Sequence, residues 1–134
     1  MQVISDGVIE IVDRYKWTHF LTITNRYIIN VDQFIKKYKY FFKHLDKSYY
    51  SKYTMHFVVC EPFIKNHYHI HSLITNLVNT KTLNILCNNT FGMSLIQEYD
   101  ETRNAKYYLA NKCNNDKVEW DFYKINSKHR RKNG

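Results

Sequence analysis

The spacing of apolar positions changes several times along the chain, and each change marks an element. Residues 17–24 are rich in β-branched and aromatic side chains and predict a strand with Thr18, Phe20, Thr22 and Thr24 on one face and Trp17, His19, Leu21 and Ile23 on the other. Beyond it the interval lengthens. Phe34, Tyr38, Phe41, Phe42 and Leu45 recur at helical spacing, with Asn30 placed as an N-cap and Gln33 three residues on, so an amphipathic helix is expected to run to about Lys47. Its aromatic stripe reads as core, and Lys36, Lys37, Lys39 and Lys43 read as a solvated surface. Strand-like composition returns at residues 53–61 and 67–74. Pro62 to Asn66 reads as the link between them, which predicts a hairpin. A helix over Thr80–Asn88, a strand over Met93–Tyr99, a helix over Glu101–Lys112 and a short last strand over Val118–Ile125 follow. Ahead of all of these, Val8 to Val12 predicts a short edge strand.

The hairpin carries the candidate chemistry. A strand puts His67, His69 and His71 on one face and Tyr68, Ile70 and Ile74 on the other. If Glu61 pairs with His69, Phe57 falls opposite Leu73, and side chains directly across the pair stand about 5 Å apart. Glu61, His69 and His71 then converge as one carboxylate and two imidazoles, with room left for a phosphate and water. This donor mixture suits Mn²⁺, permits Mg²⁺ and would also accept zinc. The plainer reading is a set of ordinary surface or partly buried histidines. His67 is open between a further ligand, a phosphate contact and a solvated ring. On the helix over 101–112, Tyr108 and Lys112 stand four apart and so on one face, a phenol beside an ammonium. A packed aromatic with a solvated lysine is the simpler account of that pair.

At 134 residues and 44% hydrophobic content, a single domain over residues 1–126 with a basic tail at 127–134 is expected. The net charge of +8 favours polyanionic partners such as nucleic acid or an acidic membrane surface. No run of 18 apolar residues occurs, and the first residues lack the pattern of a signal peptide, so a cytoplasmic protein that spans no membrane is expected. Cys60, Cys87 and Cys113 are widely spaced and form no CxxC pair, which argues for free thiols over disulfides or a zinc finger. The tail could hold phosphates through counterion release.

Taken in order, Phe20-Leu21-Thr22-Ile23-Thr24, then Glu61 eight residues before His69-Ile70-His71-Ser72-Leu73-Ile74, then the helix with Tyr108 and Lys112, resemble the three motifs of the HUH endonucleases. Within them the chain is most similar to rolling-circle replication initiator (Rep) proteins of small plasmids and viruses, over roughly residues 17–117. One spacing departs from the family pattern: its lysine lies three residues after the tyrosine, where this chain has Leu109, so Tyr108 and Tyr107 stand four and five residues before Lys112.

The resemblance implies a ferredoxin-like (RRM-like) α+β sandwich, with the histidines on a central strand pair and the tyrosine helix across that face. It implies nicking and joining of single-stranded DNA at a replication origin, often hairpin-bearing. Glu61, His69 and His71 would hold Mn²⁺ or Mg²⁺ against the scissile phosphate. Tyr108, or Tyr107, would take up the 5′ phosphate and release a 3′ hydroxyl that primes synthesis, while Lys112 orients the phosphate or favours the phenolate. A separate or host helicase and polymerase would be needed, and the chain would act as a monomer or homodimer in its host's cytoplasm. A single-tyrosine transposase and a non-catalytic single-stranded nucleic-acid-binding module remain the alternatives.

Overall fold

The computed structural model describes residues 3–45, 53–75 and 79–126. Strands β1 (His19–Asn25), β2 (Tyr53–Ile64), β3 (His67–Ile74), β4 (Gly92–Glu98) and β5 (Glu119–Asn126) form one sheet in the spatial order β4-β1-β3-β2-β5, every neighbouring pair antiparallel. Helices α1 (Val3–Val12), α2 (Val31–Lys43), α3 (Thr80–Phe91) and α4 (Ala105–Lys112) complete an α+β architecture. From β1 to β4 the chain runs β-α-β-β-α-β with β3 inserted between β1 and β2, the connectivity expected of a ferredoxin-like sandwich. Strand β5 extends the sheet beyond β2.

Alternation along the strands divides the interior in two. Leu21, Ile23, Val58, Cys60, Ile70 and Ile74 are buried with Phe34, Tyr38 and Phe42 of α2 and Leu83, Cys87 and Phe91 of α3. On the opposite face Phe57, Val59 and Leu73 are buried with Val8 and Val12 of α1 and Leu109 and Ala110 of α4. The hairpin has the expected register, with Glu61 across from His69 and Phe57 across from Leu73.

Several boundaries differ from the sequence expectation. Val8 to Val12 is helical, because Ser5, Val8 and Val12 are spaced by three and four and so bury one side of α1. Burial of that stripe outweighs the strand preference of β-branched residues. Helix α2 has the expected Asn30 cap, which accepts the Gln33 backbone N–H at 2.9 Å, but it ends at Lys43. Helix α3 continues to Phe91, whose ring is fully buried, and stops at Gly92 with φ 117°. A Cβ at Gly92 would stand 2.7 Å from Arg26 Cβ, so glycine is required there. Strand β2 runs on through Pro62 to Ile64, leaving Lys65 and Asn66 as the turn, with Asn66 at φ 62°. Strand β5 pairs with β2 only as far as Cys60, so the missing N–H of Pro62 breaks no bond to β5. The helix expected over Glu101–Lys112 is divided into a 3₁₀ turn at Glu101–Arg103, a left-handed Asn104 (φ 58°) and α4. The basic tail at 127–134 lies outside the described residues.

All three cysteines are free and buried, and burial pushes each thiol up to about 12, which makes them poor nucleophiles. Among the described residues no helix is long and apolar enough to cross a membrane.

Candidate active site

Strands β2 and β3 present Glu61, His69 and His71 on the face that α1 and α4 partly cover. His71 Nε2 lies 3.0 Å from Glu61 Oε2, and Lys112 Nζ donates to Glu61 Oε1 at 3.0 Å. Behind each imidazole stands a hydroxyl from β1: Thr22 Oγ1 is 3.2 Å from His71 Nδ1, and Thr24 Oγ1 is 3.3 Å from His69 Nδ1. The register explains the match, since Thr22 pairs with His71 and Thr24 with His69. Phe63 stacks on His69 with ring centroids 3.8 Å apart. His67 meets only the edge of that phenyl ring, at 6.0 Å, and stands apart from the Glu61 contacts.

Helix α4 brings the phenol. The Lys112 ammonium lies 4.7 Å from the centre of the Tyr108 ring, so one lysine touches both the Glu61 carboxylate and the candidate nucleophile. Tyr108 is 58% exposed. Tyr107 takes another direction: its hydroxyl donates to Asp13 Oδ1 at 3.0 Å, at the end of α1. Lys106 pairs with the same carboxylate oxygen at 3.1 Å. The segment expected to be an edge strand thus braces the helix that carries Tyr108.

Burial holds both His69 and His71 below the usual histidine range, with Glu61 pulling the other way, so both rings are neutral near pH 7. Burial lowers Lys112 too, but its interactions with Glu61 and Tyr108 raise it overall, and it stays cationic.

Neutral imidazoles and a carboxylate are the donor types a divalent ion needs, and a supporting partner on each far ring nitrogen is the usual arrangement around ligating histidines. A hydroxyl donates or accepts, so Thr22 holds His71 in either tautomer. The residues fit a divalent metal by their chemistry. Their present contacts are internal: Glu61 is engaged by His71 and Lys112, and among the described residues no group of three or more His, Cys, Asp and Glu side chains is arranged to hold a metal ion. Binding would exchange the contact between His71 and Glu61 for metal bonds.

Three features were not foreseen from the sequence. A cleft of about 460 Å³ opens beside Tyr108, lined in part by Phe20, Gln97, Asp100 and Arg103. Phe20 also faces His71, with ring centroids 6.3 Å apart, so cleft and histidines adjoin. The third is the stacking of Phe63 on His69. The alternation of residues 17–24 did put Phe20, Thr22 and Thr24 on one face, but only the strand order shows that this face is the histidine face. No protein-family model, curated protein or solved structure matches this chain.

Proposed function

We propose that this protein nicks and rejoins single-stranded DNA through a tyrosine nucleophile with the help of a divalent metal, as an initiator of rolling-circle replication does. The observation that carries the reading is Lys112, which links the Glu61 carboxylate at 3.0 Å to the Tyr108 ring at 4.7 Å. That lysine joins the phenol on α4 to the carboxylate and imidazoles on β2 and β3. Tyr108 is the nucleophile in this reading, because the Tyr107 hydroxyl is held by Asp13 on the α1 side.

Glu61, His69 and His71 would hold Mn²⁺ or Mg²⁺, which supplies Lewis-acid polarisation of the scissile phosphate when bound. Thr22 and Thr24 orient the imidazoles. Tyr108 Oη gives up its proton to water and forms a bond to phosphorus, the bond from phosphorus to O3′ breaks, and the 3′ oxygen takes up a proton from water and leaves as a hydroxyl, so one proton lost balances one gained. Lys112 places a positive charge where negative charge gathers on the phosphate. The phosphotyrosine linkage keeps the energy of the broken phosphodiester, so a 3′ hydroxyl that returns reverses the step. The cleft beside Tyr108 has room for a nucleotide flanking the cut. A helicase and a polymerase would act as separate partners.

The test is to incubate the protein with an end-labelled, randomised single-stranded DNA pool and Mn²⁺ and to resolve the products on denaturing gels. A covalent protein–DNA band is expected from wild type and from Tyr107→Phe, and no such band from Tyr108→Phe or His69→Ala. A band that survives Tyr108→Phe overturns the nucleophile assignment, and binding without cleavage in every variant overturns the enzyme.

A further inference from the structure

The cleft of about 460 Å³ beside Tyr108 has a polar wall that the nicking chemistry leaves unused. It opens where β4 ends and the chain passes through the 3₁₀ turn into α4. Phe20 and Tyr108 give it two aromatic rings, and Gln97, Glu98, Asp100 and Arg103 give it polar groups. All four polar residues are exposed, so they meet a ligand without first leaving the core.

Asp100 is committed to the turn. Its Oδ1 accepts from the Thr102 N–H at 2.9 Å and from the Thr102 hydroxyl at 2.6 Å. Arg103 Nε stands 3.6 Å from the other oxygen, beyond hydrogen-bond length, so the guanidinium keeps its donors. Glu98 forms no ion pair among the described residues. The cleft therefore offers one free carboxylate and one guanidinium fork.

Charge decides against a phosphate in this wall. Two carboxylates and a single guanidinium leave it net negative, and the nearby Lys112 ammonium is already bound to Glu61. A neutral nucleobase lying against rings suits it better. Guanine alone combines two adjacent acceptors, O6 and N7, with two adjacent donors, N1–H and the N2 amino group. A guanidinium fork matches the first pair bidentately, and a carboxylate matches the second. Adenine and cytosine present a carboxylate with one donor group, the exocyclic amine, and thymine presents only its ring N–H.

We infer that this cleft reads an unpaired guanine in single-stranded DNA, with Arg103 donating to O6 and N7 and Glu98 accepting from N1–H and the N2 amino group. The strand itself rests on the nicking reading. Tyr108 belongs both to the cleft wall and to the attack, which places the guanine beside the phosphate that is cut.

Anisotropy titrations of the full chain in EDTA, where nothing is cut, test it with a short labelled thymidine strand and the same strand carrying one central guanine, adenine or cytosine. The guanine strand is expected to bind at least about 10-fold more tightly than each of the others, within the range that bidentate base contacts give. Arg103→Gln and Glu98→Gln should each cut that preference at least about 3-fold, since each removes one bidentate contact. Their effects on the plain thymidine strand should run in opposite directions, one losing a cation and the other a repelling charge. A shared loss of preference is thus separable from electrostatics. Arg14→Gln and Glu119→Gln remove the same charges outside the cleft and should keep the wild-type preference, and all four variants should melt as wild type does. Equal binding of the four strands, no binding of any, a preference for adenine or cytosine, or a guanine preference that survives both cleft variants overturns the proposal. So does guanosine monophosphate that displaces the guanine strand as well as unlabelled strand does, because the ligand would then be the free nucleotide. Failure here and failure to form the covalent band in Mn²⁺ are separate results.

Discussion

On the α2 side of the sheet, Tyr38, Thr54, His56 and Ser72 are closed off from solvent. Tyr38 donates to Ser72 Oγ at 2.9 Å and lies 2.7 Å from His56 Nδ1, while Thr54 Oγ1 is 2.6 Å from His56 Nε2. On the α4 side, the side chains of Glu61, His71 and Lys112 keep 18%, 14% and 21% of their exposure and make contacts of 3.0 to 3.2 Å. Both clusters are built from a histidine, hydroxyls and neighbours on β2 and β3. The first holds no charge, uses both ring nitrogens of its histidine and leaves nothing for a ligand. The second holds a carboxylate and an ammonium within reach of water and can exchange its internal contacts for others. Solvent access and charge, more than residue type, separate the closed-off histidine from the reachable one here.

The largest expected effect falls on the open side. Glu61→Gln removes the charge that His71 and Lys112 share, and metal-dependent nicking should fall by more than about 100-fold, beyond the usual cost of losing a supporting partner. Single-turnover cleavage in Mn²⁺ measures this, and a rate within 10-fold of wild type would remove Glu61 from the site. Thr22→Val should weaken Mn²⁺ binding by about 10- to 100-fold with little change in Tm, because it takes away only the hydroxyl behind His71. An unchanged Mn²⁺ titration would make Thr22 an ordinary strand residue.

The closed side should show the reverse pattern. Tyr38→Phe strands the His56 and Ser72 partners and should cost about 1–3 kcal/mol of stability in urea unfolding, with nicking per folded molecule unaltered. A loss of activity at full stability would instead tie the two faces together. The smallest and most gradual effect is in pH. Burial pushes His56 down to about 3, below the ordinary value of 6.5 that it regains on unfolding. Between those values the unfolded chain binds a proton that the folded chain refuses, so stability is full above about pH 6.5. It is lost on acidification at up to about 1.4 kcal/mol per pH unit. His56→Gln should flatten that acid limb relative to wild type, and parallel limbs would mean that other groups govern acid lability.

Much of the open site could be read along the chain. Alternation puts Phe57 and Glu61 on one face of β2 and His69, His71 and Leu73 on one face of β3, and a one-residue slip in pairing would part Glu61 from the two histidines. The i, i+4 relation of Tyr108 and Lys112 likewise needs only local helix geometry. Other features were illegible because they depend on neighbours distant in sequence. Val8 to Val12 carries a strand-like composition, and α1 exists because α4 and the sheet offer its Ser5, Val8 and Val12 side a place to bury. Tyr107 and Tyr108 differ by one position in the chain, yet Asp13, just past α1, holds the first and Lys112 of α4 lies over the second.

The sequence by itself determined the five strands of the sheet, their faces, the cap at Asn30, and the residue types able to carry chemistry, because those follow from side-chain period and local hydrogen bonding. Tertiary structure alone decided which histidines stay reachable and which tyrosine meets the lysine. Those outcomes depend on the strand order β4-β1-β3-β2-β5 and on what it leaves open to water.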